Sequence, residues 1–260
     1  MADLMSHRAR RERQRCMPPA SASIALVCLL GVAGEIHEGA AYQIDQAVRG
    51  SALRGRVTFN GPMPRPEWLR VPRDSAFCGS SIPKETLHVD PHSHGVADAI
   101  VSIEGVEKGK PFPMEQGVKI ENRRCRFVPR VQATTVGAAM VITNEDPILH
   151  NTRLRKETAQ GATLLNVAMP KGVPPIQRTL NEPGLLLVLC AAHPFMRATI
   201  QVFEHPYFAV TDATGNFEIT AIPPGTYVVR VWHETLGFSE QTLTVPGGEA
   251  RASMNVELEF

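Results

Sequence analysis

Most of the chain after residue 50 consists of short runs in which hydrophobic and polar positions alternate, the period of a half-buried β-strand. Clear runs lie at residues 53–59, 97–103 and 197–203, and the turn sequence NGP follows the first of them. No longer segment carries a convincing helical stripe. The pattern predicts an all-β chain.

The sequence changes character near residue 205. Five strands joined by tight turns are predicted beyond it, at 207–211, 216–220, 226–233, 241–245 and 252–260. A segment of about 55 residues is marginal for an independent hydrophobic core. We therefore divide the chain into a larger domain at 50–204 and a small β-domain at 205–260 that packs on it.

Composition and the first residues narrow the class of protein. A formal net charge of +1 gives no reason to expect a nucleic-acid partner. Residues 1–41 contain an arginine-rich start, a short apolar stretch and small residues before position 42, which together predict an export signal, cleaved or kept as a membrane anchor. No later segment is long and apolar enough to cross a membrane. We expect the protein to be periplasmic or otherwise exported.

Three cysteines remain once the signal is set aside, and an odd number in an exported protein requires a role for the third thiol. Our hypothesis is that Cys78 and Cys125 form a disulfide, which an oxidising compartment permits, and that Cys190 is a metal ligand. The alternatives are that Cys190 is a structural thiol or pairs with one of the other two.

The segment from Cys190 to Met196 holds a thiol, the imidazole of His193 and a thioether within seven residues. One Cys, two His and a weak axial Met form the ligand set of blue-copper electron-transfer sites. A second imidazole must come from elsewhere. His150, at the end of a strand-like run and a short loop, is the candidate, although a lone His there would otherwise be a surface or core residue.

Two segments carry a family resemblance, CAAHPFMR at 190–197 and ITNEDPILHN at 142–151. The first resembles the copper-binding loop of amicyanins, and the second resembles the loop that precedes the first His ligand in cupredoxins. The tail from HPYFAVTDATG to PPGTYVVRVWHETLG resembles a transthyretin-like, carboxypeptidase-regulatory-like β-module. Together they resemble exported proteins, some of them labelled methylamine utilization proteins.

The resemblance implies a cupredoxin-like Greek-key β-sandwich followed by the small β-module, with one copper ion bound by His150, Cys190, His193 and Met196. It implies that Asn151 bridges the two ligand loops. Because Ala191 and Ala192 replace the usual hydroxyl residue and Pro, that bridge must use backbone. Pro194 and Phe195 would form an apolar docking surface around an exposed His193, or else simply pack the turn.

The implied function is single-electron transfer between periplasmic redox partners, such as a dehydrogenase or a c-type cytochrome. The alternative is a non-redox exported β-module protein that stores copper or binds protein or carbohydrate. Copper enzymes need an open coordination position, which four protein ligands close, so we expect no enzyme. His88, His92 and His94 could bind a second metal, but their spacing favours an ordinary polar loop.

Overall fold

A computed structural model describes residues 41–47, 49–113, 117–158, 160–248 and 250–260. The export signal predicted for residues 1–41 lies outside this part except for its last residue. None of the helices within the described ranges is long and apolar enough to cross a membrane. The described residues belong to one compact unit.

Apart from one four-residue helix, the helices and strands of the described residues are all β-strands, which confirms the all-β prediction. In chain order the elements are β1 (Gln43–Ile44), β2 (Ser51–Phe59), β3 (Trp68–Arg70), α1 (Ser75–Cys78), β4 (Ser81–Pro83), β5 (Ile100–Glu104), β6 (Lys108–Gly109), β7 (Val118–Arg123), β8 (Arg126–Val128), β9 (Val131–Thr135), β10 (Ala139–Asn144), β11 (His150–Lys156), β12 (Thr163–Met169), β13 (Ile176–Thr179), β14 (Gly184–Leu189), β15 (Arg197–Phe203), β16 (Phe208–Val210), β17 (Asn216–Ile222), β18 (Gly225–His233), β19 (Gly237–Val245) and β20 (Arg251–Leu258).

Two sheets from the middle of the chain enclose one hydrophobic core. Their strand orders are β13-β10-β7-β8 and β12-β11-β14-β15-β9. Buried side chains from both sheets meet in this core, among them Ile120, Ile142, Leu186 and Ile200. Strand β7 alternates between inward and outward positions, with Val118, Ile120 and Asn122 buried. The result is a β-sandwich whose connections β10–β11 and β14–β15 carry the candidate ligands.

A second core joins the two ends of the described chain. Its sheets have the strand orders β16-β5-β18-β19 and β17-β2-β20. Strand β2 runs parallel to β20, with Ala52 opposite Arg251 and Phe59 opposite Leu258. Strand β5 lies between β16 and β18, all antiparallel. The C-terminal strands therefore bury their apolar faces together with residues 51–106.

The two hydrophobic cores do not correspond to the two domains predicted on either side of residue 205. The physical reason is the small size of the C-terminal segment, since five strands alone cannot cover the inner faces of two sheets. Strands β2 and β5 supply the missing partners, and their buried Leu53, Val57 and Val101 pack in the same core as Ile219 and Val231.

Arg130 connects the two cores. Its side chain, only 14% exposed, pairs with Asp98 at 3.1 Å and with Glu234 at 2.5 Å. Arg130 lies just before β9 of the central sandwich, whereas Asp98 precedes β5 and Glu234 follows β18 in the other core. A guanidinium with two carboxylates at this depth fixes one orientation of the junction, because breaking either pair leaves a poorly solvated charge.

His233 lies next to this junction and is fully buried. Its Nδ1 accepts a hydrogen bond from the Thr235 N–H at 3.3 Å, and no described residue accepts from its Nε2. Burial, helped by the positive charge of Arg130, lowers the pKa of His233 to about 4. The neutral imidazole is therefore the form that the fold accommodates.

This pKa predicts an acid-sensitive contribution to stability. In the unfolded chain His233 takes up its proton near pH 6.5, and in the folded chain near pH 4. Its contribution to the free energy of unfolding is therefore complete above pH 6.5 and is lost as the pH falls from 6.5 to 4. We expect wild type to lose about 3 kcal/mol more unfolding free energy over this interval than His233→Gln. Urea titrations at pH 7 and pH 4 measure it. The exposed-loop variant His92→Gln should behave as wild type; equal losses in His233→Gln would contradict the prediction.

Candidate metal centre

The predicted ligands meet at one end of the central sandwich. His150 is the first residue of β11, Cys190 directly follows β14, and His193 and Met196 lie in the turn that leads into β15. All four side chains are buried, the two imidazoles completely. The antiparallel pairing of β14 with both β11 and β15 brings these strand ends together.

Three donor atoms converge in this space. The Nδ1 atoms of His150 and His193 lie 3.1 Å apart, and the Cys190 Sγ lies 3.7 Å from the His193 Nδ1. Ligand atoms of all three residues lie within 4.8 Å of one another. Met196 is buried in the same cluster as Cys190 and donates its backbone N–H to the His193 carbonyl at 2.9 Å. Three of the four predicted ligands thus have their donor atoms together, and Met196 lies in the adjoining turn.

The outer nitrogen of each imidazole faces a carboxylate. His150 Nε2 lies 2.8 Å from Asp146 Oδ2, and His193 Nε2 lies 3.0 Å from Asp74 Oδ2. An ionised carboxylate only accepts hydrogen bonds, so each neutral imidazole places its proton on Nε2. In two neutral rings the Nδ1 lone pairs then face each other across 3.1 Å, an arrangement that a proton or a metal ion between them stabilises.

The spacing suits a single metal ion. Imidazole nitrogens at about 2.0–2.1 Å from one ion are separated by 3.1 Å when the angle at the ion is about 100°. With a thiolate at about 2.3 Å, the 3.7 Å between sulfur and nitrogen corresponds to an angle of about 115°. Both values lie near tetrahedral to trigonal geometry. The carboxylate–histidine pairs are the partners that metal-bound imidazoles typically have.

The pKa of His150 is lowered, first by burial and then by the charge of His193, while the hydrogen bond to Asp146 opposes the shift. A lowered pKa keeps the imidazole neutral near pH 7. Neutral imidazole is the form that binds a metal, since the protonated ring has no free lone pair.

Asp146 holds His150 and a neighbouring turn at the same time. Its Oδ1 accepts from the Arg124 N–H at 2.6 Å, and its Oδ2 accepts from the Cys125 N–H at 2.8 Å as well as from His150. Asn144 in turn accepts from the Asp146 N–H at 3.0 Å. The carboxylate is 3% exposed. These bonds fix the acidic loop before β11 in one conformation.

A disulfide connects this turn to the carboxylate on the other imidazole. Cys125 is bonded to Cys78 in α1, with their Cα atoms 5.6 Å apart, and Asp74 is the N-cap of that helix. Among the described cysteines only Cys190 is a free thiol. The segment carrying Asp74 is therefore covalently attached next to the backbone that Asp146 holds.

This segment covers His193, which the resemblance leads one to expect at the surface. The imidazole has no exposed area. Pro194 is exposed and Phe195 half-buried, with its ring 5.6 Å from that of His193. The expectation of an exposed His193 is thus wrong, because Asp74 occupies the side of the ring from which solvent would reach it. A docking role for Pro194 and Phe195 stays a prediction.

Asn151 bridges the two ligand loops. Its backbone N–H donates to Cys190 Sγ at 3.3 Å, and its Oδ1 accepts from the Ala191 N–H at 3.3 Å. Its amide nitrogen donates to the Val167 carbonyl on β12 at 3.0 Å. Backbone at residue 191 thus takes the place of a side-chain hydroxyl, as Ala191 requires.

A second possible metal group overlaps the first but lacks a free sulfur. It consists of Cys125, Asp146 and His150. Because Cys125 is in the disulfide, it offers no thiolate. Within the described ranges no metal-binding group includes His88, His92 or His94, which are all exposed.

The sequence analysis missed Asp74 and Asp146. Asp146 had a local signal, since it lies four residues before His150 in the acidic loop. Asp74 is 119 residues from His193 and no motif marks it. Only the disulfide hypothesis connected its neighbourhood to this part of the chain.

Comparison with known families identifies the C-terminal part. Residues 191–259 match the model of the carboxypeptidase regulatory-like domain. This supports the β-module predicted at the C-terminus, and the match begins inside the ligand turn. No curated protein shows significant similarity to the chain.

Solved structures similar to the chain include copper proteins. Amicyanin from Paracoccus versutus is 19% identical, with 40% of this chain and 97% of that chain covered and a TM-score of 0.29. A purple cupredoxin from Nitrosopumilus maritimus is 21% identical over 33% of this chain and 99% of that chain, with a TM-score of 0.28. The copper-containing nitrite reductase of Thermus scotoductus is 19% identical, also with a TM-score of 0.28, over 35% of this chain and 23% of the enzyme's length.

The carboxylate on His193 generates a prediction. Asp74→Ala removes the acceptor that holds the proton on Nε2, so we expect metal affinity to fall about 10- to 100-fold. Chelator competition on the purified protein measures it. Ser75→Ala, at the exposed neighbouring position, is the matched control and should keep wild-type affinity. An unchanged affinity in Asp74→Ala, with the disulfide intact, would show that this carboxylate does not orient the ligand.

Proposed function

We propose that the chain is an exported copper protein that transfers single electrons. The observation that carries the proposal is the facing pair of Nδ1 atoms, 3.1 Å apart beside the free Cys190 sulfur and closed off from solvent. Two imidazoles, a thiolate and the thioether of Met196 are the donors of a blue-copper site. When bound, copper would supply a centre that cycles between Cu(I) and Cu(II).

The protein's contribution is to keep these donors in one arrangement in both oxidation states. Asp146 and Asp74 orient the imidazoles, and the Asn151 N–H points at the Cys190 sulfur at 3.3 Å. Hydrogen bonds to the thiolate and the surrounding apolar shell are the features by which such proteins tune reduction potential. A buried, prearranged site needs little movement when its charge changes.

The proposal extends to compartment and partners. Cys125, whose N–H donates to Asp146, is part of a disulfide. A disulfide suits an oxidising compartment such as the periplasm. The partners would be redox proteins there, a dehydrogenase or a c-type cytochrome. With four protein donors the centre leaves no open position for a substrate, so we propose no enzymatic role.

Copper storage is the second candidate, and one observation favours it. His193 is covered by Asp74, which closes the direct contact between an imidazole and a partner protein. A storage protein needs tight binding but no fast electron exchange. The two candidates differ in whether the bound copper is reversibly reduced at an electrode.

Colour tests the ligand set. Protein loaded with Cu(II) should show the intense thiolate-to-copper absorption of a blue-copper site, and Cys190→Ser should lose it because oxygen replaces the thiolate sulfur. Absorption spectra during copper titration measure this. If Cys190→Ser keeps the wild-type band, or if wild type stays colourless, copper coordination by Cys190 is refuted.

Voltammetry tests function and the role of Met196. We expect a reversible one-electron wave, and Met196→Leu should shift its potential while the thiolate absorption remains, because a thioether donor at the site would tune the potential. Met140→Leu removes a thioether from the same buried core and serves as the control, with an unchanged potential. A protein that binds copper without a reversible wave would favour storage instead.

A further inference from the structure

A cleft of about 410 Å³ lies beside the metal centre, within the range of small-molecule sites. The hairpin β3–β4 forms one wall and the segment 125–127 another. The turn 194–197, which follows His193, forms a third, and Arg130 and Glu234 close the end at the junction of the two cores. Junctions of this kind are frequent ligand sites.

The interior of this cleft is apolar. Side chains of Ile82, Phe127, Phe195 and Met196 line it, together with Leu69. Three of these residues are less than 10% exposed in the fold, so this part of the lining is well packed. Such a surface favours a hydrophobic group, and an aromatic ring offers a large apolar area in a compact shape.

The charges around the cleft are unbalanced. Five cationic and two acidic side chains line it. Three of the cations have partners: Lys84 pairs with Glu67, Arg126 with Glu85, and Arg130 with Glu234 and Asp98. Two guanidiniums of the cleft remain without such a partner.

Arg70 and Arg197 are those two. Both are exposed, and neither guanidinium has a hydrogen-bond or ion-pair partner among the described residues. Arg70 ends β3 and Arg197 begins β15, so they approach the cleft from different walls. A guanidinium binds a carboxylate through two parallel hydrogen bonds.

We propose that this cleft binds a small aromatic or otherwise flat apolar carboxylate, with its ring on the apolar floor and its charge at Arg70 and Arg197. The proposal does not depend on the proposed function, because the cleft is formed by the protein alone and binding can be measured without metal. The ligand would contact the turn that contains Met196, directly beside the candidate metal centre.

Calorimetric titration of the metal-free full chain with 2-naphthoate and its neutral isostere 2-naphthamide tests the proposal. We expect naphthoate to bind at least about tenfold more tightly than naphthamide. Arg70→Gln and Arg197→Gln should each weaken naphthoate binding about tenfold or more and leave naphthamide unaffected. Arg251→Gln, an exposed arginine on β20, is the control and should bind as wild type.

Three outcomes would overturn the proposal. Naphthamide could bind as tightly as naphthoate, which would exclude recognition of the carboxylate. Arg251→Gln could weaken binding as much as the other two variants, which would indicate non-specific charge attraction. A third outcome is that neither compound binds at millimolar concentration, which would exclude a ligand site of this kind in the cleft. Because both test arginines are exposed and unpaired, their substitution leaves folding intact, and thermal unfolding of each variant checks this.

Discussion

Two buried imidazoles that present their lone pairs to each other are the constraint on which the rest of the centre depends. Their outer nitrogens are committed to Asp146 and Asp74, so a neutral ring that moves its proton to Nδ1 leaves its carboxylate without that hydrogen bond. The loss is most costly at Asp146, whose side chain is only 3% exposed. A proton or a metal ion between the Nδ1 atoms relieves the repulsion of the two lone pairs, and the neighbouring Cys190 thiol suits a soft metal.

The same constraint closes into a ring through the chain. Asp74 lies on the segment that the disulfide attaches at Cys125, and the Cys125 N–H donates to Asp146. Asp146 holds His150, which faces His193, and His193 returns to Asp74. Each of these hydrogen bonds alone contributes only modestly to stability. Because every member has two partners, displacing one strains the others, which is how hydrogen-bond networks specify a single arrangement.

The sequence predicted what depends on local pattern. Alternation predicted β2 and β15, and the spacing within residues 190–196 predicted three candidate ligands, because a tight turn brings such residues together wherever it lies in the fold. His150 required a family resemblance in addition, since a single imidazole at a strand end carries no local signal. The carboxylate of Asp146 lay within reach of the same reasoning, four residues before His150.

The features that the sequence pattern did not predict depend on contacts between segments that are distant in the chain. Strand β2 pairs with β20 about two hundred residues away, and nothing in either strand specifies that partner. Asp74 covers His193 for the same kind of reason, since its position depends on a disulfide and on the packing of β3 and β4. The surface properties of the centre therefore depended on contacts that no motif encodes.

The covering of His193 matters for the proposed electron transfer. An exposed imidazole allows a partner to approach within contact distance of a ligand, whereas here any partner first meets Asp74 and α1 or the exposed Leu149 beside His150. The Asp74 side chain is 36% exposed and Arg73 next to it is also exposed, so a partner at this point would meet polar groups of both signs. The contact surface would thus be polar here, unlike a purely apolar rim of Pro194 and Phe195.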